Sequence, residues 1–212
     1  FFGLLIGKSG LSGQMPTFLM VTYGVFGVMS PALFGFGVSV ANERDKGWMA
    51  IKQVTPMPPL QLMLAKMLNA MTFAIAIIIS LFFLGAAFGN VLLTKAQWLS
   101  LAVTLLIGTL PFCALGMAVG FWVKGNAAVA VVNLIYLPTA FLSGLAIPIN
   151  YFPQWLQQVA YILPPFHLSQ LGLKIINMDL GGSVMTHIGA LLFMTALFLL
   201  IAVMGYRKSQ SE

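Results

Sequence analysis

Charge is missing from most of this chain, and the places where it is missing limit what the chain can fold into. Counting Asp, Glu, Lys and Arg, the runs Ser9 to Asn42, Met67 to Thr94, Ala96 to Val123, Gly125 to Leu173 and Leu180 to Tyr206 carry none. Each exceeds the ~20 residues that a helix needs to cross the hydrocarbon core of a bilayer. Five complete spans are expected, near 17–41, 67–89, 98–122, 126–147 and 184–205. The runs lack the period-two alternation of barrel strands, and a lipid-exposed backbone must satisfy its own hydrogen bonds. The expected fold is an all-α membrane protein, a polytopic transmembrane helical bundle forming a single transmembrane domain over 1–212. Only 7% of the residues are charged, against ~25% in soluble domains. Soluble enzyme folds, nucleic-acid modules and disordered tails are thereby excluded.

The few charges carry topological information. If 42–66 is cytoplasmic, that side holds Arg44, Lys46, Lys52, Lys66, Lys124, Arg207 and Lys208, and the other holds Lys8, Lys95 and Lys174. This positive-inside bias predicts a multi-pass protein of the inner or plasma membrane with a cytoplasmic C-terminus. The net charge of +6 is scattered over loops rather than gathered into a phosphate-binding stripe, so no nucleic-acid partner is expected. Phe1 to Gly7 is too short to span and reads as the outer half of a first, truncated helix, which would make six spans.

Within the spans there is no Asp, Glu, Lys or Arg, which argues against a proton relay, a voltage sensor or a charged ion pathway. Pro31, Pro111 and Pro138 are expected to kink their helices. Gly85-x-x-x-Gly89 and Gly116-x-x-x-Gly120 are spaced for close helix approach. Gly3 to Ser9 imitates a phosphate-binding loop, but it has three residues between its glycines where the P-loop has four, and it follows no strand. Cys113 is the single cysteine, and no metal or cofactor site is expected on this chain.

The loop 42–66 opens with Glu43, Arg44, Asp45 and Lys46 before Gly47. Trp48, Ile51 and Val54 then follow at helical spacing, and Thr55-Pro56-Met57-Pro58-Pro59 ends that short helix. About two helical turns are not stable alone in water. The helix must rest either on lipid headgroups, as an interfacial elbow, or in the groove of a partner.

The outer segment 148–183 is too long for an idle connection. It holds two amphipathic stretches, Gln154 to Leu163 after Pro153 and Phe166 to Asn177 after Pro164-Pro165. They are expected to lie along, or dip into, the outer membrane face as a helical hairpin. His167 sits on the polar stripe with Gln170, Lys174 and Asn177. It lacks the acid, nucleophile or metal partner that catalysis would require, and His187 is similar. Two histidines without Cys or carboxylate help do not make a zinc site. Tyr151, Phe152, Trp155 and Tyr161 suit interface anchors or an exit gate. Asn133 and Tyr136, mid-span and one turn apart, suit either a conduit or an interhelical hydrogen bond.

Two regions resemble type-2 ABC transporter permeases, of the bacterial multidrug and antibiotic-resistance kind. The first is 42–66: its mixed-charge cluster and Gly, short helix, Thr-Pro-x-x-Pro turn and Lys66 look like that family's cytoplasmic coupling loop. The second is Leu142-Ser143-Gly144, Pro148, Phe152-Pro153-Gln154-Trp155 and Pro164-Pro165-Phe166-His167, which looks like its outer hairpin. The resemblance implies a non-catalytic subunit whose separate ATPase partner binds the ATP and Mg. It also implies a second permease copy, as homodimer or related chain, and export as the direction of transport. The charge-free interior, by polarity alone, suggests a hydrophobic or amphipathic cargo such as a drug, lipid or lipid-linked glycan. ATPase coupling would fall to Glu43, Arg44, Asp45, Lys46, Gly47, Trp48, Ile51, Thr55, Pro56, Met57 and Pro59. Trp48 departs from the small or polar residue expected after the glycine. Pro148, Phe152, Pro153, Trp155, Pro164, Pro165 and His167 would form the outer gate. The alternative from another class is an ATP-independent channel or carrier.

Overall fold

A computed structural model describes residues 15–47 and 59–211. Among these residues there is no strand, and five helical segments are long and apolar enough to cross a membrane: Met15–Asp45, Met63–Phe88, Lys95–Trp122, Gly125–Leu142 and Val184–Lys208. The first is assembled from three pieces. Helix α1 (Met15–Ser30) runs into a π-helical stretch, Pro31–Val38, and then into α2 (Ser39–Asp45). Pro31 has no N–H to continue the i→i−4 ladder, and the register widens to the π form there. The expected kink is thus absorbed over two turns.

Helix α3 (Pro59–Phe88) leads to α4 (Lys95–Ile107), whose start is closed by a capping box between Thr94 and Gln97. The third span is broken at Gly108–Thr109, and α5 (Leu110–Trp122) restarts with Pro111 in its first turn, where the missing N–H does no harm. Pro138 lies inside an unbroken helix, α6 (Gly125–Leu142). After a 3₁₀ turn (Ile149–Tyr151) come α7 (Gln154–Ala160) and α8 (Pro164–Ile175), then the last span, α9 (Val184–Ser211).

The spans are not equivalent. Met15–Asp45 and Lys95–Trp122 have over half of their most apolar windows buried, whereas Met63–Phe88 and Val184–Lys208 have under a fifth. Helices α1 and α5, with the π segment, make the centre, and α3 and α9 present Phe73, Ile79, Phe83, Leu192, Phe193 and Leu200 outward. Such faces belong against lipid. The centre closes on glycine. A Cβ on Gly116 would stand 2.6 Å from the Ala32 carbonyl oxygen, and one on Gly120 would stand 2.7 Å from Val40 Cβ. The Gly116-x-x-x-Gly120 pair therefore admits the π segment against α5. Gly85 receives Met20 Sδ instead, and Gly89 packs on its own helix at Gly85.

Helix α8 does not lie on the surface: Phe166, His167, Leu168, Ser169, Gln170, Gly172 and Leu173 are all buried. Leu168 fills the space left by Gly108 at the break between α4 and α5, and Gly172 takes Val21 and Leu101. The small residues at the break make a socket, and α8 is wedged into it. His167 and Gln170 of its polar stripe are consequently inside, while Lys174 stays partly exposed. Asn177, expected on that stripe, lies beyond the end of the helix with φ +57°.

Candidate functional site

The charged cluster ending the first span is built into the bundle. Helix α2 ends with Lys46 as its cap, and Gly47 follows at φ +71°, the left-handed conformation that glycine adopts without steric penalty. The turn aims the three preceding charged side chains at neighbouring helices. Lys66 Nζ of α3 donates to Glu43 Oε1 at 2.6 Å and to Ser39 Oγ at 2.6 Å, and Ser39 Oγ donates to Glu43 Oε1 at 3.0 Å. Arg44 donates to the carbonyls of Phe121 and Val123, where α5 ends. Asp45 Oδ2 accepts the Gly125 N–H at 2.6 Å, where α6 begins. Arg44 and Asp45 also pair at 3.5 Å. Gly125 has no room for a side chain, since Asn42 lies over it.

Three consecutive residues, Glu43, Arg44 and Asp45, thus tie the first span to α3 and to the ends of α5 and α6. Charge-assisted bonds of this kind are shorter and stronger than neutral ones, and the Lys66–Glu43 pair is mostly buried. Sequence reasoning missed Ser39 and the carbonyls at the α5–α6 junction. Its one available signal was Lys124, the lone charge between two charge-free runs. Trp48, Ile51, Thr55, Pro56 and Met57, with the short helix expected there, lie outside the described residues, as does the Gly3–Ser9 imitation of a phosphate loop. Pro59 begins α3.

On the opposite side, His167 and His187 meet. Their Nδ1 atoms stand 3.0 Å apart, and His167 Nε2 lies 2.9 Å from the Tyr161 carbonyl oxygen. A carbonyl only accepts, so His167 carries its hydrogen on Nε2 and offers a lone pair at Nδ1. A hydrogen bond between the two Nδ1 atoms then needs the His187 proton on its Nδ1. The pair links α8 to the start of α9, with Phe166 edge-on to both rings. His167 is buried. Burial lowers its pKa from the ordinary 6.5; the Tyr161 carbonyl opposes that shift, and the neighbouring His187 adds to it. Among the described residues no group of three metal-ligating side chains occurs.

The remaining hairpin residues divide by exposure. Trp155 and Tyr151 are 66% and 79% exposed, whereas Phe152 packs on a small cluster of Ile149, Ala160 and Phe166. Pro153 caps α7, and Pro164 and Pro165 start α8. Pro148 lines a cleft of about 540 Å³ with Phe18, Ser143, Asn150 and Gln170. The two residues considered for a conduit part company. Tyr136 is buried, stacks on Phe26 at 4.6 Å and donates to the Phe26 carbonyl at 3.1 Å. Asn133 donates to Val129 of its own helix at 3.0 Å.

The described residues thus form an all-helical bundle with five candidate membrane spans, a buried outer-hairpin helix and a charged turn tied to neighbouring helices. Residues 7–204 match the family model described as ABC-2 family transporter protein, so the chain belongs to that family. It is similar to the Bacillus subtilis (strain 168) protein named "Putative transport permease YvfS", with 27% identity over 193 residues, covering 91% of this chain and 78% of that protein. The chain is a permease subunit of an ABC-2 type transporter, a non-catalytic transmembrane subunit whose family implies an ATPase partner.

Proposed function

We propose that the charged turn couples an ATPase subunit to the helices of an exporter, and that the face bearing it is cytoplasmic. Two ATPase subunits, closing on ATP, push on 42–66, and two permease chains tilt in response. A pathway between the two chains then opens toward the hairpin. The observation that carries this reading is the set of ties from Glu43, Arg44 and Asp45 to Lys66, the Phe121 and Val123 carbonyls and the Gly125 N–H. A displacement applied at the turn is borne by four spans together, because packed helices move as rigid units. The seven-to-three cation bias supports the orientation.

Cargo is proposed to be hydrophobic or amphipathic, since Asp, Glu, Lys and Arg occur only at the ends of the spans. The buried hairpin is a candidate outer gate, with Trp155 and Tyr151 as its interfacial anchors. The test is the reconstituted transporter with Arg44→Ala. Transport per ATP hydrolysed should fall at least tenfold, while the ATPase still co-purifies. Unchanged stoichiometry would overturn the coupling role. Transport that persists in ATP-depleted vesicles would favour a carrier instead.

A further inference from the structure

Beside the charged turn, the ends of α2, α5 and α9 and the α5–α6 junction enclose a cavity of about 580 Å³ lined by Arg44, Asp45, Phe121, Trp122, Lys124, Gly205 and Lys208. Its lining holds three cations and one carboxylate. The carboxylate is already engaged, by the Gly125 N–H and by Arg44. The floor is the Trp122 indole, whose Nε1–H donates to the Ile201 carbonyl at 2.9 Å and which lies over Gly205, where a Cβ would stand 2.6 Å from Nε1. Lys208 Nζ is 5.4 Å from the ring centroid. Half of Trp122 is exposed, as are Lys124 and Lys208, so the cavity opens outward. From Lys208 the same face of α9 continues through Met204 and Ile201, exposed at 62% and 36%.

We propose that this cavity binds the phosphate of an anionic phospholipid from the adjoining leaflet. A net-positive pocket at a helix end, floored by tryptophan, matches a phosphodiester headgroup in charge. Indole belongs at that depth in a bilayer. The apolar strip below Lys208 provides for the acyl chains, which a soluble phosphate ion would not need. A zwitterionic lipid brings a quaternary ammonium into a field of the same sign and is held less well. The site shares Arg44 and Asp45 with the charged turn, so the variants that test it are placed at Lys124 and Lys208.

The full chain in detergent, titrated with phosphatidylglycerol, phosphatidylcholine or inorganic phosphate and read by native mass spectrometry, tests this. Phosphatidylglycerol should be retained at least tenfold better than phosphatidylcholine. Lys124→Gln with Lys208→Gln should weaken its retention about 30-fold, the expected loss for two surface cations. Lys95→Gln, at the other membrane face, should leave it unchanged. Equal retention of both lipids, or of phosphatidylglycerol by the double variant and the wild type, overturns the proposal. Inorganic phosphate binding as tightly as phosphatidylglycerol overturns the lipid as its source.

Discussion

Gly116→Ala isolates the contact on which the centre of the bundle closes. The added methyl would sit 2.6 Å from the Ala32 carbonyl oxygen and 3.3 Å from Gly37 N and Leu33 Cα. All three obstructing atoms belong to backbone, so no side chain can rotate away. The π segment and α5 must instead separate by several tenths of an ångström. A gap of that size forfeits about a quarter or more of each dispersion contact along the interface, and overpacking of this kind costs about 1–3 kcal/mol. Alanine returns up to ~1 kcal/mol through helix propensity. A net loss of about 1–2 kcal/mol corresponds to a Tm lower by roughly 2–8 °C for a chain of this size. The control is Gly35→Ala in the same π segment, where a Cβ meets nothing within 4 Å. That substitution should leave Tm unchanged or raise it. Thermal unfolding of both variants, followed by intrinsic fluorescence in one detergent, decides the matter. If Gly116→Ala melts no lower than wild type, or both variants fall together, close backbone approach is not what holds α5 to the π segment.

Three further outcomes follow from contacts already described. Because burial holds the His167 pKa below 6.5, the folded state takes up its proton less readily than the unfolded chain. The associated stability is present above the unfolded value and is lost as pH falls below about 6.5. Tm should therefore be flat above about pH 7 and decline below it, and His167→Gln should flatten the decline. Lys66→Ala leaves Glu43 and Ser39 without their 2.6 Å donor, and a loss of about 1.5–3 kcal/mol is expected for a hydrogen bond to a charged group. Double-mutant analysis with Glu43→Gln should recover much of that loss. Ser143 Oγ is buried without a hydrogen-bond partner among the described residues; Ser143→Ala should be neutral or stabilising by up to about 1 kcal/mol, and a marked fall in Tm would show that the hydroxyl is needed.

Much of this architecture was legible before any coordinates, for a physical reason. Lipid does not solvate charge, so Lys, Arg, Asp and Glu collect outside the apolar runs, and the gaps between them mark the spans directly. The family resemblance rested on the same outlying residues, at 42–66 and 148–183. Amphipathic periodicity was less trustworthy. It recognised α8 as a helix and placed His167 and Gln170 on its polar stripe without saying what that stripe meets, because a polar stripe looks the same whether it meets solvent or a neighbouring helix that satisfies it. Gln170 Oε1 in fact accepts the Leu180 N–H at 2.9 Å.

What the sequence determined alone is therefore one-dimensional: which stretches cross the membrane, which ends hold cations, and where prolines and glycines interrupt. Only the tertiary structure decided partners. It set Gly116 against Ala32, Leu168 against Gly108 and His167 against His187, the last pair twenty residues apart and separated by a turn. It also turned Glu43, Arg44 and Asp45 inward, onto helix ends reached only through the fold. Hydrophobicity acts on each segment separately and is legible in order along the chain. Close packing and hydrogen bonding act between segments distant in sequence, so their specificity exists only once the helices have met.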